Sequence, residues 1–283
     1  MISPVPSPVI APKSAPPSTD VRLDSYCAER FQAQIAKKGV PMSKSSIGEW
    51  ERCPARWAFR TIERQGVGAV SDELKLGRAC HQVIANMVSS GPSAIPEDAL
   101  ALDLDRQGVP AYMLPSAVDW VLWAVDLVRL RGGRIAGVEL PVRTGRIPGV
   151  ALSGRFDLVL EGGMAGQIEC LDWTFSRHPR FVQPEQMVYH LGTSIYRSLL
   201  AVALPQQLEH VVISDVHVPS RQVVSVELER EDVVRAWKEI QAIRDGMRAV
   251  ARTGIVRARP GTQCTWCPFQ RRCPHAELPT EVP

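Results

Sequence analysis

The chain has 283 residues, 45% of them hydrophobic, and a formal net charge of +3, enough for one large domain or two modest ones with ample core. No apolar run approaches the roughly 20 residues that span a bilayer, and no charged segment followed by an apolar stretch opens the chain, so the sequence predicts a cytoplasmic protein without membrane contact. Seven cysteines in a reducing compartment predict metal ligation and buried thiols rather than disulfides.

Basic residues are mostly arginine; the lysines are Lys13, Lys37, Lys38, Lys44, Lys75 and Lys238. A GC-rich genome explains such a bias, and guanidinium forks also suit phosphate. Residues 1–20, "MISPVPSPVIAPKSAPPSTD", are rich in Pro and Ser without apolar periodicity and read as a disordered tail. From Ser43 the pattern turns helical, with Ser43, Ser45 or Ser46 as cap and Ile47, Trp50, Trp57 and Phe59 recurring. Helices are expected over 72–90 and 117–133, separated by a Pro-punctuated linker over 91–115. Segments 135–144, 150–163 and 166–176 are short, β-rich and broken by glycines, which predicts a three-stranded antiparallel meander turning near Gly162-Gly163. A helix over 184–204, a hairpin over 209–228 turning at Pro219-Ser220-Arg221, and a long helix over 230–254 complete the order. The expected fold class is mixed α/β, with one domain over 21–283. Its parts are a helical segment (21–134), a β-meander core (135–260) and a cysteine segment (261–283).

Two carboxylates stand out in the meander. Asp157 in "SGRFDLVL" and Asp172 in "IECLDWTF" sit among apolar strand residues, where an unpaired carboxylate is costly. A hard divalent cation such as Mg²⁺ or Mn²⁺ between them resolves the repulsion; pairing with Arg155 or Arg177 is the plainer alternative. His81 is a third candidate ligand, with Gly77 one turn earlier. At the other end, Cys264-x₂-Cys267 followed by Cys273 has metal-ligand spacing. Either His275 or the distant Cys53 can supply a fourth ligand, and spacing does not choose zinc over an iron–sulfur cluster.

Together these stretches resemble RecB-type nucleases of the PD-(D/E)XK superfamily, in particular the branch with a four-cysteine iron–sulfur cluster: AddB-type helicase–nucleases and CRISPR-adaptation exonucleases. The resemblance is carried by "SKSSIGEWERCP", "LGRACH", "SGRFDLV", "IECLDW" and the cysteines Cys53, Cys264, Cys267 and Cys273. It implies a restriction-endonuclease-like core, a central mixed sheet flanked by helices. It also implies a 4Fe-4S cluster on those four cysteines, and Mg²⁺ or Mn²⁺ held by His81, Asp157, Asp172 and the Trp173 carbonyl. Glu139 matches a glutamate of the first strand, and Gln186 the glutamine of the Q-x-x-x-Y helix, although Tyr189 falls one position early and His190 stands at the tyrosine's place. The implied activity is metal-dependent DNA exonucleolysis on single strands or ends, in DNA processing, recombination or repair, and the implied partners are DNA and a helicase or recombination protein.

The lysine of D-x-K falls on Thr174, leaving catalytic Asp157, Asp172, Thr174 and Gln186 without a nearby lysine. Lys75 or Arg177 are candidate substitutes. A catalytically degenerate DNA-binding or scaffold subunit is the alternative, and a zinc-ribbon interaction protein a third.

Overall fold

The computed structural model describes residues 19–66, 71–91, 96–144, 149–163, 167–203 and 210–276. Strand β1 (Asp20–Arg22) leads into helix α1 (Ser25–Lys38), started by Asp24, whose side chain accepts from the Cys27 N–H. Helix α1 ends at Gly39, with φ +76° and a Cβ position only 2.8 Å from the Gly149 carbonyl carbon, so only glycine fits as the chain enters strand β2 (Val40–Met42). Ser43 then closes a capping box with Ser46 and starts α2 (Lys44–Arg52). Cys53 adopts extended backbone, φ −165°, and Pro54 opens α3 (Pro54–Thr61). The expected single helix is therefore two, hinged at Cys53.

Helices α4 (Asp72–Ser90), α5 (Glu97–Arg106) and α6 (Leu114–Arg131) follow. Much of the expected linker over 91–115 is α5, which buries Leu100 and Leu104; its Leu spacing is a helical stripe that the flanking prolines obscured. Helix α6 and its lead-in, Ala111–Arg131, are long and apolar enough to cross a membrane by length and composition alone. Its buried stripe, Ala117, Val121, Ala124, Val125 and Val128, packs into the core with α4, and Asp119 and Asp126 lie on its exposed side.

The meander is present as β3 (Arg134–Thr144), β4 (Val150–Glu161) and β5 (Ile168–Thr174). Short α7 (Pro184–Val188), α8 (Leu191–Ala203), the hairpin β6 (Val211–His217) and β7 (Gln222–Glu227), α9 (Arg230–Thr253) and β8 (Ile255–Arg257) complete the chain. The expected helix over 184–204 is thus interrupted at Tyr189–His190. Residue 20, expected in the tail, pairs with Arg257 in a two-stranded β1–β8 ribbon; residues 1–18 lie outside the described part.

The six-stranded sheet runs β2-β4-β5-β6-β7, with β3 on the other edge of β4. Strand β4 is shared: β2 pairs parallel to its start, at Val150–Leu152, and β5 pairs antiparallel to its end, at Leu158–Glu161. Because β3 runs along the opposite edge, β2 and β5 flank the same edge and leave residues 153–157 without a strand partner there. That gap is where the site lies. Successive β5 residues alternate between two cores: Ile168 and Cys170 face the cluster containing Trp57, Tyr196 and Met247, while Leu171 and Trp173 face that of Leu76, Ile84 and Val121. The result is a mixed α/β sheet flanked by helices on both faces.

Candidate active site

The ladder between β4 and β5 ends at Leu158↔Leu171, so on the β4 side the Trp173 N–H has no strand partner, although β6 still pairs along the other edge. Asp157 takes it: its Oδ2 accepts from the Trp173 N–H at 2.7 Å. His81, one face of α4, brings its Nδ1 to 3.5 Å from Asp157 Oδ2 and 3.9 Å from Glu139 Oε1. Glu139 sits in β3 with φ +46°, a left-handed conformation costly in a non-glycine strand residue and characteristic of functional sites. His81, Glu139 and Asp157 place one ligand atom each within 4.8 Å of one another, the one such group among the described residues.

The electrostatics suit a cation there. Burial, and then the neighbouring Asp172, push Asp157 well above the usual carboxylate range, with the Trp173 amide partly offsetting them. Burial lowers His81, opposed by Asp172, Glu139 and a hydrogen bond to the Trp173 backbone. A neutral imidazole and clustered carboxylates that repel one another form a donor set that a divalent ion would relieve.

Asp172, the other expected ligand, is held differently. Its Oδ2 contacts the ammonium of Lys44 and accepts from Arg180 Nη1 at 2.9 Å, and its Oδ1 accepts from the Tyr196 hydroxyl at 3.0 Å. Burial would raise it, but Lys44 and Arg180 overcome burial and hold its carboxyl well below the ordinary range. Arg180 also reaches Asp215 Oδ2 at 3.0 Å and donates to Thr174 Oγ1 at 3.1 Å. Thr174 therefore stands beside a cation, and two positive charges from other segments lie against Asp172. Asp215 is the register partner of Asp172 across β5 and β6. His217 fastens the loop bearing Arg180: its Nε2 lies 2.7 Å from the Ser176 carbonyl.

The Lys44 side chain passes over a deliberate gap. A Cβ at Gly192 would lie 2.7 Å from Lys44 Cγ and 2.6 Å from His190 Cε1. Gly192→Ala is therefore expected to displace the lysine and, for the metal-dependent nuclease activity expected from the sequence, to lower the rate by about a hundredfold, as small misplacements do. Thermal melting beside the wild type separates this from unfolding, because the substituted position is helical and alanine favours helix there.

The other expected residues fall elsewhere. Gln186 spends its carboxamide oxygen on the Val182 and Gln183 amides at the start of α7, a capping role away from the carboxylates. Tyr189 is exposed and stacks under Arg235; His190, lowered to about 4 by burial, Lys44 and Arg180, packs on Phe181. Lys75 is engaged by Asp72 at 2.9 Å, and Arg177 is exposed. Sequence reading missed Lys44, Arg180, Tyr196 and Asp215. Lys44 lies 128 residues from Asp172, so no local pattern connected the two.

At the far end of α2, Cys53, Cys264, Cys267 and Cys273 line one cavity with Phe59 and His275. Cys53 Sγ accepts from the Arg259 N–H at 3.4 Å. Burial raises Cys273, and the three other thiols add to it. No three of these sulfurs lie within 4.8 Å of one another. The His275 ring reaches the Asp20 carbonyl, Nε2 to O 3.2 Å.

No curated protein matches this sequence. Among solved structures, the crystal structure of SSO0001 is similar, at 12% identity and a TM-score of 0.40 over 89% of this chain and 96% of that one. The sequence model of the PD-(D/E)XK nuclease superfamily matches residues 41–274, the span that holds both arms of the sheet, the carboxylates and all four clustered cysteines. The chain belongs to the PD-(D/E)XK nuclease superfamily.

Proposed function

We propose that this protein is a divalent-metal-dependent DNA exonuclease in which Lys44, from the start of α2, replaces the lysine that the motif strand lacks. The observation that carries this reading is the contact of the Lys44 ammonium with Asp172. His81, Glu139 and Asp157 would hold the cation, with Asp172 and the Trp173 backbone beside them. A bound Mg²⁺ or Mn²⁺ supplies Lewis acidity to the scissile phosphate and to the attacking water. The chain's own groups do the rest. Lys44 offers a charged donor where negative charge accumulates, Arg180 and Tyr196 fix the Asp172 carboxylate, and Glu139 is presented by its strained backbone.

The reading extends to the branch with a four-cysteine iron–sulfur cluster, acting on DNA ends or single strands in recombination or repair. Convergence of Cys53 with the C-terminal three supports the cysteine centre. Four cysteines lining one cavity offer a donor set that suits tetrahedral zinc or an iron–sulfur cluster.

End-labelled single- and double-stranded DNA, incubated with anaerobically purified protein and Mn²⁺, Mg²⁺ or EDTA, tests the activity. Cleavage is expected only with a divalent ion, and Asp157→Asn should lower it on the order of a thousandfold. Cleavage in EDTA would refute the proposal. Salt-sensitive DNA binding without cleavage in either metal would establish the degenerate reading instead.

A further inference from the structure

A cavity of about 720 Å³ opens beside the carboxylate site and continues along α2 and α3. Six cations line it: Lys44 and Arg180 at the acidic end, Arg155 on the β4 wall, and Arg52, Arg56 and Arg60 along the helix pair. These are not equally neutralised. Lys44 and Arg180 are committed to Asp172, Arg155 to Glu139 at 3.2 Å, and Arg60 to Glu49 at 2.5 Å. Arg52 has no carboxylate within ion-pair reach among the described residues. Arg56 comes no nearer than 4.0 Å to Glu49, and its Nε is buried without a hydrogen-bond partner.

Arg56 and Arg60 are one turn apart on α3, Arg52 ends α2 across the hinge at Cys53, and all three line the same cavity. Glu49, 8% exposed, fixes Arg60, and it and Glu51 are the carboxylates among the lining residues, so the six cations outnumber the acids there. The remaining charge faces the cavity.

We infer that Arg52, Arg56 and Arg60 form a phosphate track that holds the backbone of one DNA strand as it runs to or from the carboxylate site. The inference rests on the nuclease reading for the identity of the polyanion, and names where that polyanion is held. Each guanidinium presents a planar fork to phosphate oxygens, and Glu49 acts as a positioning residue for the last of them.

Binding of fluorescein-labelled oligothymidine in EDTA, followed by anisotropy across a salt series, tests the track without cleavage. The double variant Arg52→Ala/Arg56→Ala breaks no close ion pair, so the fold should survive it. Losing two single-strand phosphate contacts is expected to weaken binding about 25-fold at 0.1 M salt and flatten the log–log salt slope by about 1.4. Lys37→Ala/Lys38→Ala removes the same net charge at the end of α1 and should change binding less than threefold or so. Unchanged affinity and slope in the arginine variant would overturn the track, as would an equal loss in the lysine control. Either result leaves metal-dependent cleavage standing. Conversely, arginine-dependent binding with no cleavage in any metal would sink the nuclease reading and keep the track.

Discussion

Lys44→Met is expected to reduce metal-dependent DNA cleavage by about 10²- to 10³-fold, the usual cost of deleting one charged donor aimed at a transition state. Methionine keeps the stem that fills the space beside Gly192 and Tyr196, so the loss reports the ammonium. Asp172 retains Arg180 and Tyr196 after the substitution, which keeps that buried carboxylate from being left alone. A second arm makes the claim specific. Thr174 lies two residues from Asp172 on the same strand and therefore on the same face. Adding Thr174→Lys to the Lys44→Met protein places an ammonium on that face from the opposite direction, and at least a tenfold recovery is expected. Wild-type cleavage by Lys44→Met would show that the ion pair with Asp172 is structural only.

Cys53→Ser should have the largest effect on stability. Cys53 joins α2 to α3, and the cysteines that line a cavity with it lie at the other end of the chain, about 210 residues away. Tying ends across a loop that long removes on the order of 5 kcal/mol of unfolded-state entropy in the chain-entropy account. If a bound cluster ties them, its loss lowers the melting temperature by about 10 °C or more, at roughly 2–4 °C per kcal/mol for a chain of this size. Cys170→Ser offers the comparison: it alters a buried core thiol on β5, and it should destabilise without changing bound iron. Iron content, the visible absorption of the purified protein and the melting curve are the measurements. Equal iron in Cys53→Ser and wild type would remove Cys53 from the ligand set. The same substitution is expected to reduce cleavage, because α2 carries Lys44 at its start and Cys53 at its end. A helix of nine residues transmits the position of one end to the other.

Local chemistry made much of this protein legible from its sequence. β-rich composition broken by glycines located β3, β4 and β5 to within two residues, and Asp157 and Asp172 stood out as carboxylates among apolar strand residues. The Ser43 capping box and the Cys264-x₂-Cys267 spacing are short-range signals, set by contacts a few residues long. Short pieces were missed where local signal is weak. Strands β1 and β2 have three residues each, too few for periodicity, and they form only because distant β8 and β4 supply the edge they pair with.

The identity of the cation beside Asp172 belonged to tertiary structure alone. In sequence the motif strand offers Thr174, and the nearest lysine was sought along the chain. The sheet decides otherwise: β2 and β5 flank one edge of β4, so α2, which follows β2, starts over the gap that exposes Asp157 and Asp172. Gln186 shows the converse, a motif position whose carboxamide is consumed by two backbone amides when the helix breaks at Tyr189. Residue type fixes which chemistry a side chain can offer. Which charge meets which carboxylate depends on strand order, because Coulomb attraction acts through distance in space and is indifferent to distance along the chain.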